Sequence, residues 1–401
     1  MPTSPPLSLY ASCAPGLERL TAAELAALGV APGAVEPGGV AFAGDEGAVG
    51  RVNLWLRTAS RVVVRAAAFR ATAFHELERG ARKVPWERFV APGGAVRFRV
   101  TCRKSRLYHS GAVAERLVEA VRHRLGEAPA VVAPAAGAPG DEEEEGDDAQ
   151  LFVVRLFRDL CTISADSSGA LLHRRGYRQA VAKAPLRETL AAAMLMASEW
   201  RGDAPLLDPM CGSGTIVIEG ALLARGVAPG LAAPAGGGRT RRFAFTAWPG
   251  FDGARWDAEV AEAERARAGR RGAAIPVIQG SDRDAGGTAA ALANTARAGV
   301  AGDVEIATRP ISAVEPPAGA PGWLVSNPPY GVRVGEGDRL RNLYAQLGKV
   351  ARQRCPGWTV ALLMAAGGLE RETGIRFHEL LRTANGGIPV RLLAGRVEGG
   401  A

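Results

Sequence analysis

The segment Ser326-Asn327-Pro328-Pro329-Tyr330-Gly331, directly after the apolar run Trp323-Leu324-Val325, carries the most specific chemical signal in the chain. An exocyclic base amine is a poor nucleophile because its lone pair is delocalised into the ring. Acceptors aimed at its two hydrogens raise the electron density on nitrogen and orient the lone pair. Asn327 offers a side-chain oxygen for this purpose, and the Pro328 carbonyl a second acceptor. Pro328 and Pro329 stiffen the turn. Tyr330 presents an aromatic face on which a base can stack. Holding the reactants in a near-attack arrangement supplies most of the rate enhancement in such a site.

A second motif, Asp208-Pro209-Met210-Cys211-Gly212-Ser213-Gly214-Thr215, lies between the apolar pair Leu206-Leu207 and a helical stretch over 215–224. Its glycines permit a tight turn and close approach of a ligand to the backbone. The helix start then offers free N–H groups to a cofactor carboxylate. A second acid is expected to cap the next strand and bind ribose hydroxyls, and Asp282 fits. It follows Gly212 by 70 residues, against roughly 20 in a dinucleotide fingerprint, so 231–274 reads as an insertion. Asp284 is the expected N-cap of the next helix. Together the two motifs predict methyl transfer from S-adenosylmethionine to a base amine. Methylation at a pyrimidine carbon needs a thiolate, and neither Cys211 in the cofactor turn nor Cys355 before Pro356-Gly357 is placed for it. The five histidines (75, 109, 123, 173, 378) show no ligand spacing, so no metal is expected.

The elements that must position these residues are legible in part. Strands are expected at 206–208, 276–280, 304–307, 323–326 and 359–364, with helices at 215–224 and 285–298. A closing hairpin, 378–383 and 390–394, is expected around the turn signal Asn385-Gly386. Ahead of these, helical spacing covers 16–28 and 111–125, and strands are expected at 96–102, 151–156 and 160–165. Between the two regions of the N-terminal half, seven of the eight residues Asp141–Asp148 are acidic, which reads as a disordered loop within 133–150.

The chain has 401 residues and a formal net charge of +8. Residues 1–135 hold 18 Lys and Arg against 11 Asp and Glu, and residues 155–187 hold seven against two. Two basic segments upstream of a chemical signature point to a polyanionic partner. No apolar run reaches membrane-spanning length, and residues 1–9 lack a secretory pattern. Five scattered cysteines without a CxxC pair speak against a disulfide framework or a zinc site and for a reducing cytoplasm.

With these residues in view, the chain resembles the THUMP-domain guanine-N2 RNA methyltransferases, particularly the bacterial 23S rRNA type, over nearly its whole length. Ala11-Ser12-Cys13-Ala14-Pro15-Gly16-Leu17-Glu18 resembles the family's ferredoxin-like start, and residues 101–112 (TCRKSRLYHSGA) its THUMP core. Leu172-His173-Arg174-Arg175-Gly176-Tyr177-Arg178 and Ala184-Pro185-Leu186-Arg187-Glu188-Thr189 resemble its approach to the catalytic domain. Trp248-Pro249-Gly250-Phe251-Asp252 and Trp256 resemble its insertion.

The resemblance implies an α/β protein in three parts: a ferredoxin-like domain (1–65), a THUMP RNA-binding domain (66–168) and a Rossmann-like class I methyltransferase domain (169–401). The last has a mostly parallel seven-stranded sheet ending in an antiparallel hairpin. It implies cofactor binding by Glu188, Thr189, Asp208, Pro209, Gly212, Ser213, Gly214, Thr215 and Asp282, and catalysis at Asn327, Pro328, Pro329 and Tyr330. RNA contact is implied for Arg103, Lys104, Arg106, Tyr108, His109, Arg174, Arg175 and Arg178. The chain departs from the family's pattern after the third strand, where an acid is usual and Thr308-Arg309-Pro310 stand instead. No second methyltransferase domain follows Ala401, so a stand-alone enzyme is expected. Three other readings stay open: guanine-N2 methylation of tRNA, adenine-N6 or glutamine-N5 methylation of DNA or protein, and a non-catalytic RNA-binding protein.

Overall fold

The computed structural model describes residues 6–132, 149–179, 186–231, 239–317, 319–330 and 337–398. The acidic stretch, Ala184-Pro185 and Gly331 lie outside the described residues.

The N-terminal strands are β1 (Leu7–Cys13), β2 (Pro32–Glu36), β3 (Gly39–Gly44), β4 (Ala59–Arg70), β5 (Ala95–Arg103), β6 (Ala130–Val131), β7 (Gln150–Phe157) and β8 (Leu160–Asp166). They form one sheet, in the order β2-β3-β1-β4-β8-β7-β5-β6. Strand β4 joins its two halves, pairing antiparallel with β1 on one side and β8 on the other. The boundary expected at 65/66 falls inside this strand. Helices α1 (Glu18–Ala27), α2 (Glu46–Trp55), α3 (Phe74–Ala81) and α4 (Ser110–Leu125) accompany the sheet. Asp45 caps α2 by accepting a hydrogen bond from the Ala48 N–H. The core is aromatic at its centre, with Trp86 edge-on to Phe152 at 4.9 Å and Phe98 stacked on Phe152 at 5.5 Å.

The second sheet holds β9 (Leu206–Asp208), β10 (Ile278–Asp282), β11 (Val304–Thr308), β12 (Trp323–Ser326), β13 (Thr359–Ala365), β14 (His378–Asn385) and β15 (Ile388–Arg396). Its order is β11-β10-β9-β12-β13-β15-β14. Strands β9 to β13 run parallel, and β15 runs antiparallel to both β13 and β14. Helices α5 (Glu188–Ala197), α6 (Thr215–Ala224), α7 (Gly253–Gly269), α8 (Ala285–Ala298) and α9 (Gly337–Arg354) complete this unit. Leu206, Leu207 and Asp208 are all buried, as a central parallel strand with both faces covered requires. Asp284 caps α8 through the N–H groups of Gly286 and Gly287.

The hairpin turn differs by one residue from expectation. Gly386 and Gly387, at φ 56° and 81°, make the turn, while Asn385 pairs with Ile388 as the last strand residue. A type I′ hairpin turn needs positive φ at both central positions, and two glycines meet that at less cost than Asn-Gly.

The insertion joins the two units. Phe243 and Phe245 bury into the N-terminal core, and Leu54 of α2 packs with Leu231, Val260 and Ala263. Among the described residues, no helix is long and apolar enough to cross a membrane.

Candidate active site

In the second sheet, chain order reverses between β9 and β12, and parallel α/β sheets hold ligands in the crevice beyond the strand ends at such a point. Both sequence motifs leave the sheet there. After β9, Cys211 donates its backbone N–H to the Ser281 carbonyl at 2.9 Å, tying the turn to β10. Gly212, at φ 50°, donates its N–H to Asp282 Oδ2 at 3.0 Å. The other Asp282 oxygen accepts the Asp284 N–H at 3.0 Å. A Cβ added at Gly212 would meet no atom within 4 Å, so the turn borders open space. Gly214, at φ 85°, opens α6 without a side-chain cap, leaving first-turn N–H groups for a ligand. Pro209, Ser213 and Thr215 are buried beneath this turn, and Asn294 of α8 donates to the Ser213 carbonyl at 3.0 Å.

Asp208 is 1% exposed, and burial pushes its carboxyl up to about 7, against hydrogen bonds from Ser326 and the Met210 N–H that lower it. The Ser326 hydroxyl donates to Asp208 Oδ1 at 2.6 Å, so the two motifs touch directly. Ser326 carries no signal of this in sequence.

Beyond β12, Asn327 is half-buried, and its Oδ1 is buried with no hydrogen-bond partner among the described residues. An unpaired buried acceptor costs about 1–3 kcal/mol, so it marks a place where a ligand donor would be gained. Pro328 is buried and Pro329 exposed. The Pro329 carbonyl accepts a hydrogen bond from the Tyr344 hydroxyl of α9 at 3.2 Å. The Tyr330 hydroxyl accepts one from Asn385 Nδ2 at 2.9 Å.

Glu188 and Thr189 open α5, both buried. Burial pushes the Glu188 carboxyl up to about 7, opposed by Arg178, whose Nη2 lies 3.3 Å from Glu188 Oε2. Arg178 also donates to the Leu186 carbonyl at 2.8 Å. Arg175 is buried, with its Nε 3.0 Å from Glu219 Oε1, and it donates to the Arg57 carbonyl at 2.8 Å. Tyr177 donates to the same Glu219 oxygen at 2.9 Å. Arg57 in turn donates to the Val227 carbonyl at 2.6 Å. The expectation that Arg175 contacts RNA is therefore corrected: its guanidinium is enclosed by Glu219 and the Arg57 carbonyl and bridges the two units. Arg178 likewise faces inward onto Glu188, and Arg174 is half-buried. Sequence reading missed Glu219, because nothing local links it to a residue 44 positions earlier.

The remaining basic residues take a different place. Arg103, at the end of β5, and Lys104, Arg106, Tyr108 and His109, on the connection from β5 to α4, are all exposed. Tyr108 is 76% exposed and lies against the His109 ring, centroids 5.3 Å apart. Asp159 braces this loop by accepting the Arg106 N–H at 2.8 Å. Among the described residues, no group of three or more His, Cys, Asp or Glu side chains could hold a metal ion.

Comparison with known proteins bears on this arrangement. Residues 175–386 match a family model described as "RMKL-like, methyltransferase domain", and residues 8–63 one described as "RlmL ferredoxin-like domain". The chain is 34% identical over 388 residues to "Putative RNA methyltransferase slr0064" of Synechocystis, covering 96% of this chain and 95% of that protein. It is 37% identical to "Ribosomal RNA large subunit methyltransferase K/L" of Syntrophotalea carbinolica, covering 97% of this chain and 53% of the relative. The chain thus spans about half the length of the K/L relatives it matches. Among solved structures, one described as "Crystal structure of SMU.472, a putative methyltransferase complexed with SAH" superposes with a TM-score of 0.83 at 27% identity, covering both chains fully.

Proposed function

Since the chain belongs to the RlmKL-like methyltransferase family, with an N-terminal ferredoxin-like domain and a class I methyltransferase fold, we propose that it methylates the exocyclic N2 amine of a guanine in large-subunit ribosomal RNA. S-adenosylmethionine is the methyl donor. The observation that carries this reading is the buried, unpartnered Oδ1 of Asn327 at the sheet's switch point, joined through Ser326 to the Asp208 turn.

The residues present fit the cofactor. Open space borders Gly212, the start of α6 has uncapped N–H groups, and Asp282 accepts the Gly212 N–H. We assign the methionine carboxylate to the helix start and the ribose hydroxyls to Asp282. Glu188 and Thr189 are assigned to the methionine end, and Pro209, Ser213 and Thr215 to the turn's shape. When bound, the sulfonium supplies an electrophilic methyl group. The protein's part is then positioning and polarisation. Asn327 Oδ1 and the Pro328 carbonyl accept the two amine hydrogens, which raises electron density on nitrogen and turns its lone pair toward the methyl. Pro329 keeps the turn rigid, and Tyr330 stacks on the base. The exposed group Arg103, Lys104, Arg106, Tyr108 and His109, with Arg174, is assigned to RNA, the cations to phosphates and the rings to unpaired bases.

The test is incubation with labelled S-adenosylmethionine and RNA from a methylation-deficient host, followed by nucleoside analysis. Label in N2-methylguanosine from 23S rRNA is the expected result. Label from tRNA instead would move the substrate to that RNA. Label in neither, with transfer to DNA adenine or protein glutamine, would replace the reading. Cofactor binding without transfer to any acceptor would leave a non-catalytic RNA-binding role.

A further inference from the structure

We propose that Asn385, on the C-terminal hairpin, is a positioning residue that fixes the plane of the Tyr330 ring in the base-binding turn. The proposal rests on the reading of residues 327–330 as the base-binding segment.

Three observations carry it. First, Asn385 is not needed where it stands by the turn itself. Gly386 and Gly387 supply both positive φ angles, and Asn385 is paired as strand with Ile388. Its amide is therefore free for another partner. Second, that amide is directed inward: Asn385 is 8% exposed, and Nδ2 donates to the Tyr330 hydroxyl at 2.9 Å across 55 residues of chain. Third, the turn is held independently on its other side, where the Tyr344 hydroxyl donates to the Pro329 carbonyl at 3.2 Å. Tyr344 is itself fully buried in α9.

The physical consequence follows from what stacking requires. A tyrosine ring rotates broadly about its χ2 torsion, and a base stacks well only on a ring whose plane is set in advance. The phenolic oxygen lies on the χ2 axis, so a hydrogen bond there, from a donor anchored in a sheet, fixes where the far end of the ring sits. Because that oxygen accepts best near the ring plane, the bond favours one plane. Because the amide donates, the Tyr330 hydroxyl proton is left over for a further acceptor. The strand carrying Asn385 is braced in turn: the backbone of Gly16, in the N-terminal unit, lies so close to the Arg382 carbonyl of β14 that a Cβ there would overlap it. Tyr330 is thus held by a hairpin that the N-terminal unit packs against.

The experiment is a double-mutant cycle on the full chain with RNA acceptor, reading kcat, KM and cofactor Kd for Asn385→Ala, Tyr330→Phe and the double variant. Asn385→Ala is expected to lower kcat about tenfold, the scale of one hydrogen bond, with cofactor Kd unchanged. The double variant is expected to be no slower than Tyr330→Phe alone. Asn385→Asp should recover part of the loss, because its carboxylate accepts the Tyr330 hydroxyl proton, and it serves as the second variant should Asn385→Ala fold poorly. A readout independent of turnover accompanies the cycle. With 3-fluorotyrosine at the five tyrosines, the Tyr330 fluorine resonance is assigned by its loss in Tyr330→Phe and should shift in Asn385→Ala without RNA. Losses that multiply in the double variant, or an unmoved fluorine resonance, would overturn the proposal. A wild-type chain that transfers no methyl to RNA would overturn the functional reading instead, and the fluorine measurement would still decide whether Asn385 sets the ring.

Discussion

Replacing Asp208 by asparagine should change how stability depends on pH, in a direction fixed by the site's burial. Asp208 is 1% exposed and its carboxyl is pushed up to about 7, whereas an unfolded aspartate titrates near ~3.9. The folded state therefore holds a proton that the unfolded state has released across that interval. The contribution is fully present below about pH 4 and is lost as pH rises through about 7, at ~1.4 kcal/mol per unit. Asparagine keeps the shape and accepts the same Ser326 and Met210 donors, but has no proton to lose. Glu188, also pushed up to about 7, titrates in both proteins and cancels from their difference. Between pH 5 and 7, Asp208→Asn should thus gain roughly 2–3 kcal/mol on wild type, and the difference should level off above about pH 8. Urea unfolding at pH 5, 6, 7 and 8 measures it. Parallel stability curves for the two proteins would refute the reasoning, because they would mean that Asp208 ionises in the fold as freely as in the open chain.

Asn327→Ala should lower methyl transfer by about 100-fold or more, the effect of removing one preorganised polar group, while calorimetry shows nearly unchanged cofactor affinity; lost cofactor binding would place Asn327 elsewhere. Arg175→Met leaves the buried Glu219 without its cationic partner, with the Tyr177 hydroxyl still donating to it, and should cost roughly 3–5 kcal/mol of stability in urea. Arg106→Ala, on the exposed loop, should change stability by less than about 0.5 kcal/mol yet weaken RNA binding and reduce its salt slope by about 1. If the two arginine variants exchange these phenotypes, the division between buried bridge and exposed contact is wrong. Gly16→Ala forces a side chain onto the Arg382 carbonyl at φ 95° and should cost on the order of 1–3 kcal/mol; a melting temperature equal to wild type would count against close docking there.

The elements around the chemistry were legible because strong local signals bound them. Leu206–Asp208, Thr215–Ala224, Ala285–Ala298 and Trp323–Ser326 appear at the expected limits, each set off by Gly, Pro or Asp. Strand β10 begins at Ile278 rather than Pro276 and runs two residues further, to Asp282, since proline has no N–H for the ladder. Strand β4 was not legible at all. Its run Val62–Val64 is buried on both faces and its second half alternates only weakly, a pattern that short apolar helices share. Within the basic run 155–187, Arg175 and Arg178 misled for a different reason. A count of charges along the chain omits partners that arrive from elsewhere, and Glu219 reaches Arg175 only through the packing of α6.

The same limit explains why the candidate site was half visible. Turn chemistry is local, so Asp208–Thr215 and Asn327–Tyr330 announce themselves through residue type and spacing. What holds those turns is not local. Ser326 meets Asp208 across 118 residues, Tyr344 meets the Pro329 carbonyl from a helix, and Asn385 meets Tyr330 from the hairpin. Each supporting residue is ordinary in type, and each acts by one hydrogen bond whose partner is fixed by the fold rather than by nearby sequence. In the order β10-β9-β12-β13-β15-β14, Asp208 and Ser326 end adjacent strands, and the hairpin edge carries Asn385 to Tyr330. The candidate reacting groups can be read from sequence because the proposed chemistry constrains their identity. The groups that set their geometry emerge only when the topology brings them together.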